Sequence, residues 1–214
     1  MKTTLAIALA FLMVLCLLPG SLAVAAQGED GTAAADTQAD GIVLEHFNDV
    51  RASIKRWMTV NDNVMGGKSK GGPAFADGLL TFKGATNTDG GGFSSIRTRP
   101  SEMDLTGTAG LLLRVKGDGR TYMASLRTDV SNGRWKIPFR AEFETVQDEW
   151  VTVFVPYEDM TPTFWGREIR DNAPVLELDK VQSMGLMIYD KEDGPFQLQV
   201  DWIKAVKQAP KNQG

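Results

Sequence analysis

The sequence predicts an all-β fold, a sandwich or barrel built from short strands. Two observations support this prediction. Short segments rich in apolar and β-branched residues recur along the chain, and turn motifs such as "ADG", "KGDG" and "SNG" separate them. Gly, Asn and Asp supply the positive φ angles that tight turns between strands require. In addition, no apolar periodicity continues long enough to build a helical bundle.

The predicted elements follow one another from residue 50 to residue 206. Residues 50–57 are expected to form a short helical turn, and residues 160–179, with two prolines, a long loop lying over the sandwich. The last strand shows the two-residue period most clearly, since Phe196, Leu198, Val200 and Trp202 fall on one face. The predicted strands are residues 78–84, 92–99, 110–117, 121–128, 136–143, 150–156, 183–190 and 195–206.

The N-terminal residues carry the pattern of a secretory signal peptide. Lys2 precedes an apolar run from Leu5 to Leu18, and small residues follow it up to Ala26. The run is shorter than the roughly 20 residues that a membrane-spanning helix needs. We therefore predict a signal peptide over residues 1–26, no transmembrane segment after its cleavage, and export to a periplasm or out of the cell.

The rest of the chain divides into three parts. Residues 27–40 are small, polar and acidic, which is typical of a flexible linker. Residues 41–207 have the usual size of one domain, and residues 208–214 are expected to form a flexible tail. Cleavage of the signal peptide removes Cys16, the only cysteine, so cysteine-based zinc sites and thiol catalysis are excluded.

The charge of the chain argues against nucleic acid as a partner. It has 23 basic and 27 acidic residues, a formal net charge of -4. Binding to nucleic acid depends on neutralising phosphates with basic side chains. His46 is the only histidine, which disfavours a histidine-based triad or a multi-histidine metal site.

The stretch "WMTVNDNVMGGKSKGG", residues 57–72, fits no ordinary strand or helix. Gly67, Lys68 and Ser69 match the last three residues of a nucleotide-binding loop. However, Asp62 occupies the place of the first required glycine, and no helix is expected to follow. Asn61 and Asp62 could supply oxygen atoms for calcium, yet the spacing of an EF-hand is absent. We predict no cofactor and no metal; a calcium site assembled from distant loops and a purely structural turn stay open as alternatives.

The second unusual stretch is "GGGFSSIRTR", residues 90–99. Alternation places Phe93, Ser95 and Arg97 on one face of a strand, where they could line a groove. The guanidinium of Arg97 suits a carboxylate such as that of Asp62. A salt bridge that closes the sandwich and a ligand-binding pair are equally compatible with this pattern.

Aromatic and acidic residues give weaker signals. Trp165, in the irregular segment "TFWGRE", is the tryptophan expected to be exposed and to contact a partner. Four acidic residues could serve glycoside hydrolysis, but their spacing in the sequence does not select any two of them. We therefore predict no catalytic pair. These acids are Asp62, Glu142, Asp190 and Asp201.

Several blocks of the chain resemble the complex I intermediate-associated protein 30 family. They are "FND", "WMTVNDNVMGGKSKG", "GLLTFKGATNTDGGGFSSIRT", "GLLLRVKGDGRTYMASLRT", "VPYEDMTPTFWGRE" and "LQVDWIKAV". The resemblance covers residues 43–206 and implies a single galactose-binding-like jelly-roll β-sandwich. It also implies a chaperone-like role, because mitochondrial members help to assemble respiratory complex I. This chain looks like an exported bacterial-type member, which places it on the other side of a membrane from that role.

The predicted function is therefore a non-catalytic, exported binding module that assists protein assembly, with a carbohydrate-binding module as the alternative. A hydrolase on the same fold is a third, weaker hypothesis. Asp62 and Arg97 are expected at the polar centre of the binding face, and Phe164 and Trp165 as its apolar contact. The full set of predicted binding residues is Trp57, Asn61, Asp62, Met65, Gly66, Gly67, Ser69, Phe93, Ser95, Arg97 and Trp165, of which all but Trp165 belong, with Gly92, to the family's signature.

Overall fold

The computed structural model describes residues 41–210. The predicted signal peptide, the predicted linker and the last four residues of the predicted tail lie outside the described residues. The described part contains one short α-helix and strands that form two antiparallel sheets packed as a jelly-roll sandwich. The predicted fold class is therefore confirmed. Within residues 41–210, no helix is long and apolar enough to cross a membrane.

The first sheet contains six strands. Their order is β3-β4-β13-β6-β9, and β1 pairs with β13 beside this path. The strands are β1 (Gly41–Glu45), β3 (Lys70–Ala76), β4 (Leu79–Thr86), β6 (Gly110–Lys116), β9 (Trp150–Pro156) and β13 (Gly194–Val206).

The second sheet contains seven strands in the order β11-β10-β8-β7-β12-β5-β2. They are β2 (Trp57–Thr59), β5 (Ser94–Thr98), β7 (Thr121–Asn132), β8 (Trp135–Glu144), β10 (Thr161–Phe164), β11 (Arg167–Glu168) and β12 (Ser183–Ile188).

The apolar core fills the space between the two sheets, because each strand turns alternate residues inward. Phe82 and Phe196 of the first sheet pack edge to face, with ring centroids 4.8 Å apart. Ile96 and Leu126 of the second sheet are fully buried. The other face of the second sheet points away from this core, and we call it the open face.

The predicted alternation in the last strand holds only to Val200. The register of β13 against β6 shifts between Val200 and Trp202, so Trp202 is half-exposed and Ile203 takes the buried place. An extra residue in one strand reverses the side to which the following residues point. The Lys204 ammonium instead lies over the Trp202 ring, 4.4 Å from the centroid of the ring.

Two local predictions have different outcomes. The predicted helical turn is helix α1 (Val50–Arg56), which begins where the Asp49 side chain accepts a hydrogen bond from the Ala52 amide at 3.0 Å. The segment predicted as a long loop is not entirely irregular, because it contains the hairpin of β10 and β11. Trp165 and Gly166 form its two-residue turn, with φ angles of 50° and 74°. Positive φ at both positions allows the tight hairpin.

Candidate functional site

Asp62 lies at the start of a 3-10 turn, Asp62–Met65, between β2 and β3. Its side chain is 0% exposed. A buried carboxylate is costly unless hydrogen bonds replace its lost water. The surroundings of Asp62 therefore decide whether it is available to a ligand.

Two Gly-rich loops provide these hydrogen bonds. Ser69 donates from its amide at 2.9 Å and from its hydroxyl at 2.5 Å. The amides of Gly92 and Phe93 donate at 2.7 Å and 3.3 Å. Burial alone would raise the pKa of Asp62, but these donors outweigh burial and hold the pKa below its ordinary value. The hydrogen-bonding capacity of the Asp62 carboxylate is thus used within the chain, and the carboxylate joins the two loops.

The glycines around Asp62 permit this close approach. A Cβ atom on Gly67 would lie 2.2 Å from the Asp62 Cγ atom, and one on Gly91 would lie 2.3 Å from its Oδ2 atom. Gly66 ends the turn with a φ of 89°, in the left-handed region. Gly67 and Gly91 are therefore explained by a carboxylate of the chain itself, whereas Gly66, Gly90 and Gly92 are explained by their positive φ angles.

Most other predicted site residues support the same two loops. The Asn61 amide donates to the Gly71 carbonyl at 3.0 Å, and its oxygen accepts from the Ser94 hydroxyl at 2.7 Å. The Ser95 hydroxyl donates to the Val60 carbonyl. Trp57 is buried in the core beside Phe47, and Ser69 is also buried. Met65, in contrast, is exposed.

The predicted pairing of Arg97 with Asp62 is wrong. Within residues 41–210, the Arg97 guanidinium makes no hydrogen bond or ion pair with Asp62 or with another side chain. Asp62 is already occupied by donors from the two loops. Alternation in β5 turns Arg97 to the open face of the second sheet, opposite to the buried Ile96 and Thr98.

Two further arginines lie on the same face and were not predicted as site residues. The register across the sheet places Arg97 beside Gly185, Gly185 beside Ser125, and Ser125 beside Arg140. Arg127 lies two residues beyond Ser125 in β7 and therefore on the same face. We call Arg97, Arg127 and Arg140 the arginine face.

The three positive charges stand close enough to repel one another. Burial, followed by the charges of Arg97 and Arg140, lowers the pKa of Arg127 to about 9. Burial and the charge of Arg97 lower the pKa of Arg140 to about 10. Glu142, two residues from Arg140, is exposed and forms no ion pair with the arginine face among the described residues.

The β10–β11 hairpin brings aromatic residues to the rim of the open face. A Cβ atom on Gly166 would lie 3.8 Å from the Tyr189 hydroxyl, so the hairpin tip contacts the end of β12. Phe93 meets Tyr189 edge to face at 6.3 Å, and Phe164 meets Trp165 in the same way at 5.9 Å. Trp165 is 58% exposed beside this contact.

Two of the remaining candidate acids form ion pairs of their own. Asp190 forms a largely buried ion pair with Arg120 at 2.6 Å, and Asp201 lies 3.4 Å from Arg114. The part of the chain that the structure describes contains no group of three His, Cys, Asp or Glu residues arranged to hold a metal ion.

Sequence comparison matches residues 46–200 to the family model of complex I intermediate-associated protein 30. The mouse mitochondrial protein of that name is 37% identical over 95 residues, which cover 44% of this chain and 29% of the relative. The Drosophila melanogaster protein is 26% identical over 151 residues, covering 60% of this chain and 50% of the relative. The chain thus spans half or less of the length of these relatives.

Solved structures share the fold. A family 11 carbohydrate-binding module of a cellulosomal cellulase from Clostridium thermocellum has a TM-score of 0.60 at 14% identity, covering 80% of this chain and 98% of the module. An agarase, AgWH50C, has a TM-score of 0.52 at 11% identity, covering 79% of this chain and 25% of the agarase. At such identities the likeness establishes the architecture alone.

Proposed function

Because the chain belongs to the complex I intermediate-associated protein 30 family, we propose that it is a non-catalytic binding module that holds a protein partner during assembly. The observation that carries this proposal is the open face of the second sheet. It presents three arginines that have no acidic partner within residues 41–210, and it borders an exposed tryptophan. Exposed aromatic side chains and arginines are the residues that most often dominate protein interfaces.

The predicted binding residues divide into two groups under this proposal. Asp62, Asn61 and Ser69, with their glycines, hold the loops in shape and act on the partner only indirectly. Arg97 and Trp165 make direct contacts. Phe93 supports the rim through Tyr189, and Met65 is an exposed apolar side chain at the end of the loop.

We further propose that the partner is an exported protein. The signal-peptide pattern of residues 1–26 supports a periplasmic or secreted location. In such a location the partner would be a component of the cell envelope or a secreted protein, and a literal role in complex I assembly would be excluded by topology.

Crosslinking and capture from the envelope extract of the source cell would test the proposal. The full chain should capture a defined protein that rebinds when purified, and Trp165→Ala should reduce this capture. Trp135→Ala is the matched control, because Trp135 is also exposed, at 56%, but lies at the β7–β8 turn. Equal loss in both variants, or no purified partner that rebinds, would contradict the proposal.

A carbohydrate ligand is the second candidate. Trp165 and Tyr189 at the rim of the open face are aromatic surfaces on which a sugar ring can stack. The shared sandwich of the family 11 module is compatible with this role. A soluble glycan that raises the Tm of the full chain, with the shift abolished by Trp165→Ala and retained in Trp135→Ala, would favour the carbohydrate candidate.

A further inference from the structure

The arginine face lacks internal compensation. Within residues 41–210, neither Arg97 nor Arg140 donates a side-chain hydrogen bond, and no ion pair involves any of the three arginines. The Arg127 guanidinium has one long contact, 3.4 Å, to the Ser125 hydroxyl. Charges partly removed from water are normally paired, and these three guanidinium groups are half-buried without an internal partner, so a counter-charge from outside the described chain would suit them.

Two buried polar atoms on the open face also lack partners. The Arg127 Nε atom and the Ser183 hydroxyl are both inaccessible and have no hydrogen-bond partner among the described residues. The two residues lie directly opposite each other in the register of β7 and β12. Buried polar atoms without partners are rare, so the hydrogen-bonding capacity of Arg127 is incompletely used within the described residues.

Gly185 contributes no side chain to the arginine face. A Cβ atom there would lie 2.7 Å from the Ile96 carbonyl oxygen and 3.0 Å from both the Arg97 Cβ atom and the Ser125 hydroxyl, so the neighbouring strands already fill this space. The register places Arg97 on one side of Gly185, and Ser125 and then Arg140 on the other. A small planar anion would therefore bind above the sheet surface, where guanidinium groups approach from both sides.

The residues flanking the arginine face favour a protein over a sugar. Met58 pairs with Arg97 in the sheet, and Met123 pairs with Met187 in the next row. Alternation places these three methionines on the open face, where Met58 and Met123 are partly exposed and Met187 is buried. Flexible thioether side chains adapt to apolar protein side chains, whereas sugar-binding surfaces depend on flat aromatic rings, which within residues 41–210 lie at the rim of this face.

We propose that the arginine face binds the carboxylate of an Asp or Glu side chain on the protein partner, with the methionines receiving apolar residues next to it; this inference rests on the proposed function. Arginine forks bind planar carboxylates through two parallel hydrogen bonds. A bound carboxylate would accept hydrogen bonds from the accessible guanidinium nitrogens and offset the repulsion among the three positive charges.

A direct titration would test this chemistry with the full chain. The probe is a fluorescent peptide in which leucine alternates with glutamate, and the matched control peptide carries glutamine in place of glutamate. Binding is expected for the first peptide only. Arg140→Gln and Arg127→Met should each weaken it about tenfold or more. Arg51→Gln, which changes an exposed arginine on helix α1, should leave the affinity unchanged.

Competition distinguishes the other sources of an anion. Inorganic phosphate and oligogalacturonate, an acidic glycan, are titrated in parallel with the peptide. Binding of either competitor without binding of the glutamate peptide would overturn the proposal. Equal affinity for the glutamate and glutamine peptides would also overturn it, and so would unchanged affinity in both arginine variants.

The capture experiment separates the failure of this inference from the failure of the proposed function. If a purified partner binds the unmutated chain and both arginine variants equally well, the arginine face is not its site, although the assembly function stands. If no protein rebinds the unmutated chain, the assembly function itself fails. If Arg140→Gln and Arg127→Met lose partner binding and Arg51→Gln retains it, the result supports both the assembly function and the arginine face as its binding site.

Discussion

Asp62 is a buried charged side chain and Arg127 a half-buried one, but their surroundings differ completely. Asp62 receives four hydrogen bonds from two loops of its own chain. Arg127 has an Nε atom without an acceptor and two positive neighbours. Hydrogen-bond satisfaction, rather than burial, therefore separates a charge that stabilises the fold from one that awaits a ligand.

Removing the satisfied charge should have the largest effect. Asp62→Ala leaves four buried donors without an acceptor and should lower the free energy of unfolding by about 3–5 kcal/mol. Urea unfolding measures the loss. Asp89→Ala is the matched control, because Asp89 is an exposed acid of the neighbouring loop that pairs with Lys68. A loss in Asp62→Ala no larger than in Asp89→Ala would refute the structural role.

The two adjacent glycines of the turn offer a sharper test. Gly67→Ala places a methyl group against the Asp62 carboxylate and should cost about 1–3 kcal/mol, with the loops displaced. Gly66→Ala meets no neighbouring atom within 4 Å and pays only for a left-handed backbone, about 1 kcal/mol. Thermal unfolding should therefore rank Gly67→Ala as the less stable protein, and the reverse order would argue against the close packing around Asp62.

The pH dependence of stability should follow the same carboxylate. The folded-state pKa of Asp62 lies below its unfolded value, so its contribution is complete above the unfolded pKa and is lost as the pH falls through the folded pKa. Asp62→Asn should therefore be less stable than the unmutated chain at neutral pH, and the gap should close in acid. A gap that stays constant from neutral pH to the acid limit would contradict this account.

The smallest effect on stability is expected at the rim. Trp165→Ala removes an exposed side chain from a hairpin tip and should change the free energy of unfolding by less than about 0.5 kcal/mol. Partner binding, in contrast, should fall clearly. Thermal unfolding and the capture assay on one preparation measure both quantities, and a large stability loss would reassign Trp165 to the fold.

The sequence predicted the sandwich well because alternation and turn residues are local signals. The alternation of residues 93–98 correctly separates Ser94, Ile96 and Thr98 from the face that carries Arg97. The β10–β11 hairpin was not predicted because tryptophan, the residue type at turn position 165, rarely adopts a positive φ angle. The register shift after Val200 was not predicted because a β-bulge depends on the partner strand.

The candidate site was predicted only in part, for a related reason. The alternation of its own strand is enough to place Arg97 on the face opposite Ile96 and Thr98. Arg127 and Arg140 belong to strands far along the chain, and only the cross-strand register brings them beside Arg97. The carboxylate of Asp62 was expected to face Arg97, but two glycine-rich loops enclose it instead.

The most direct measurement of the central claim is the free energy of unfolding of Arg127→Met in the absence of any ligand. Methionine keeps the apolar contacts of the arginine stem and removes the uncompensated charge. Arg127→Met should be more stable than the unmutated chain, by about 1 kcal/mol or more. A variant clearly less stable than the unmutated chain would show that Arg127 is satisfied within the fold and would contradict the account.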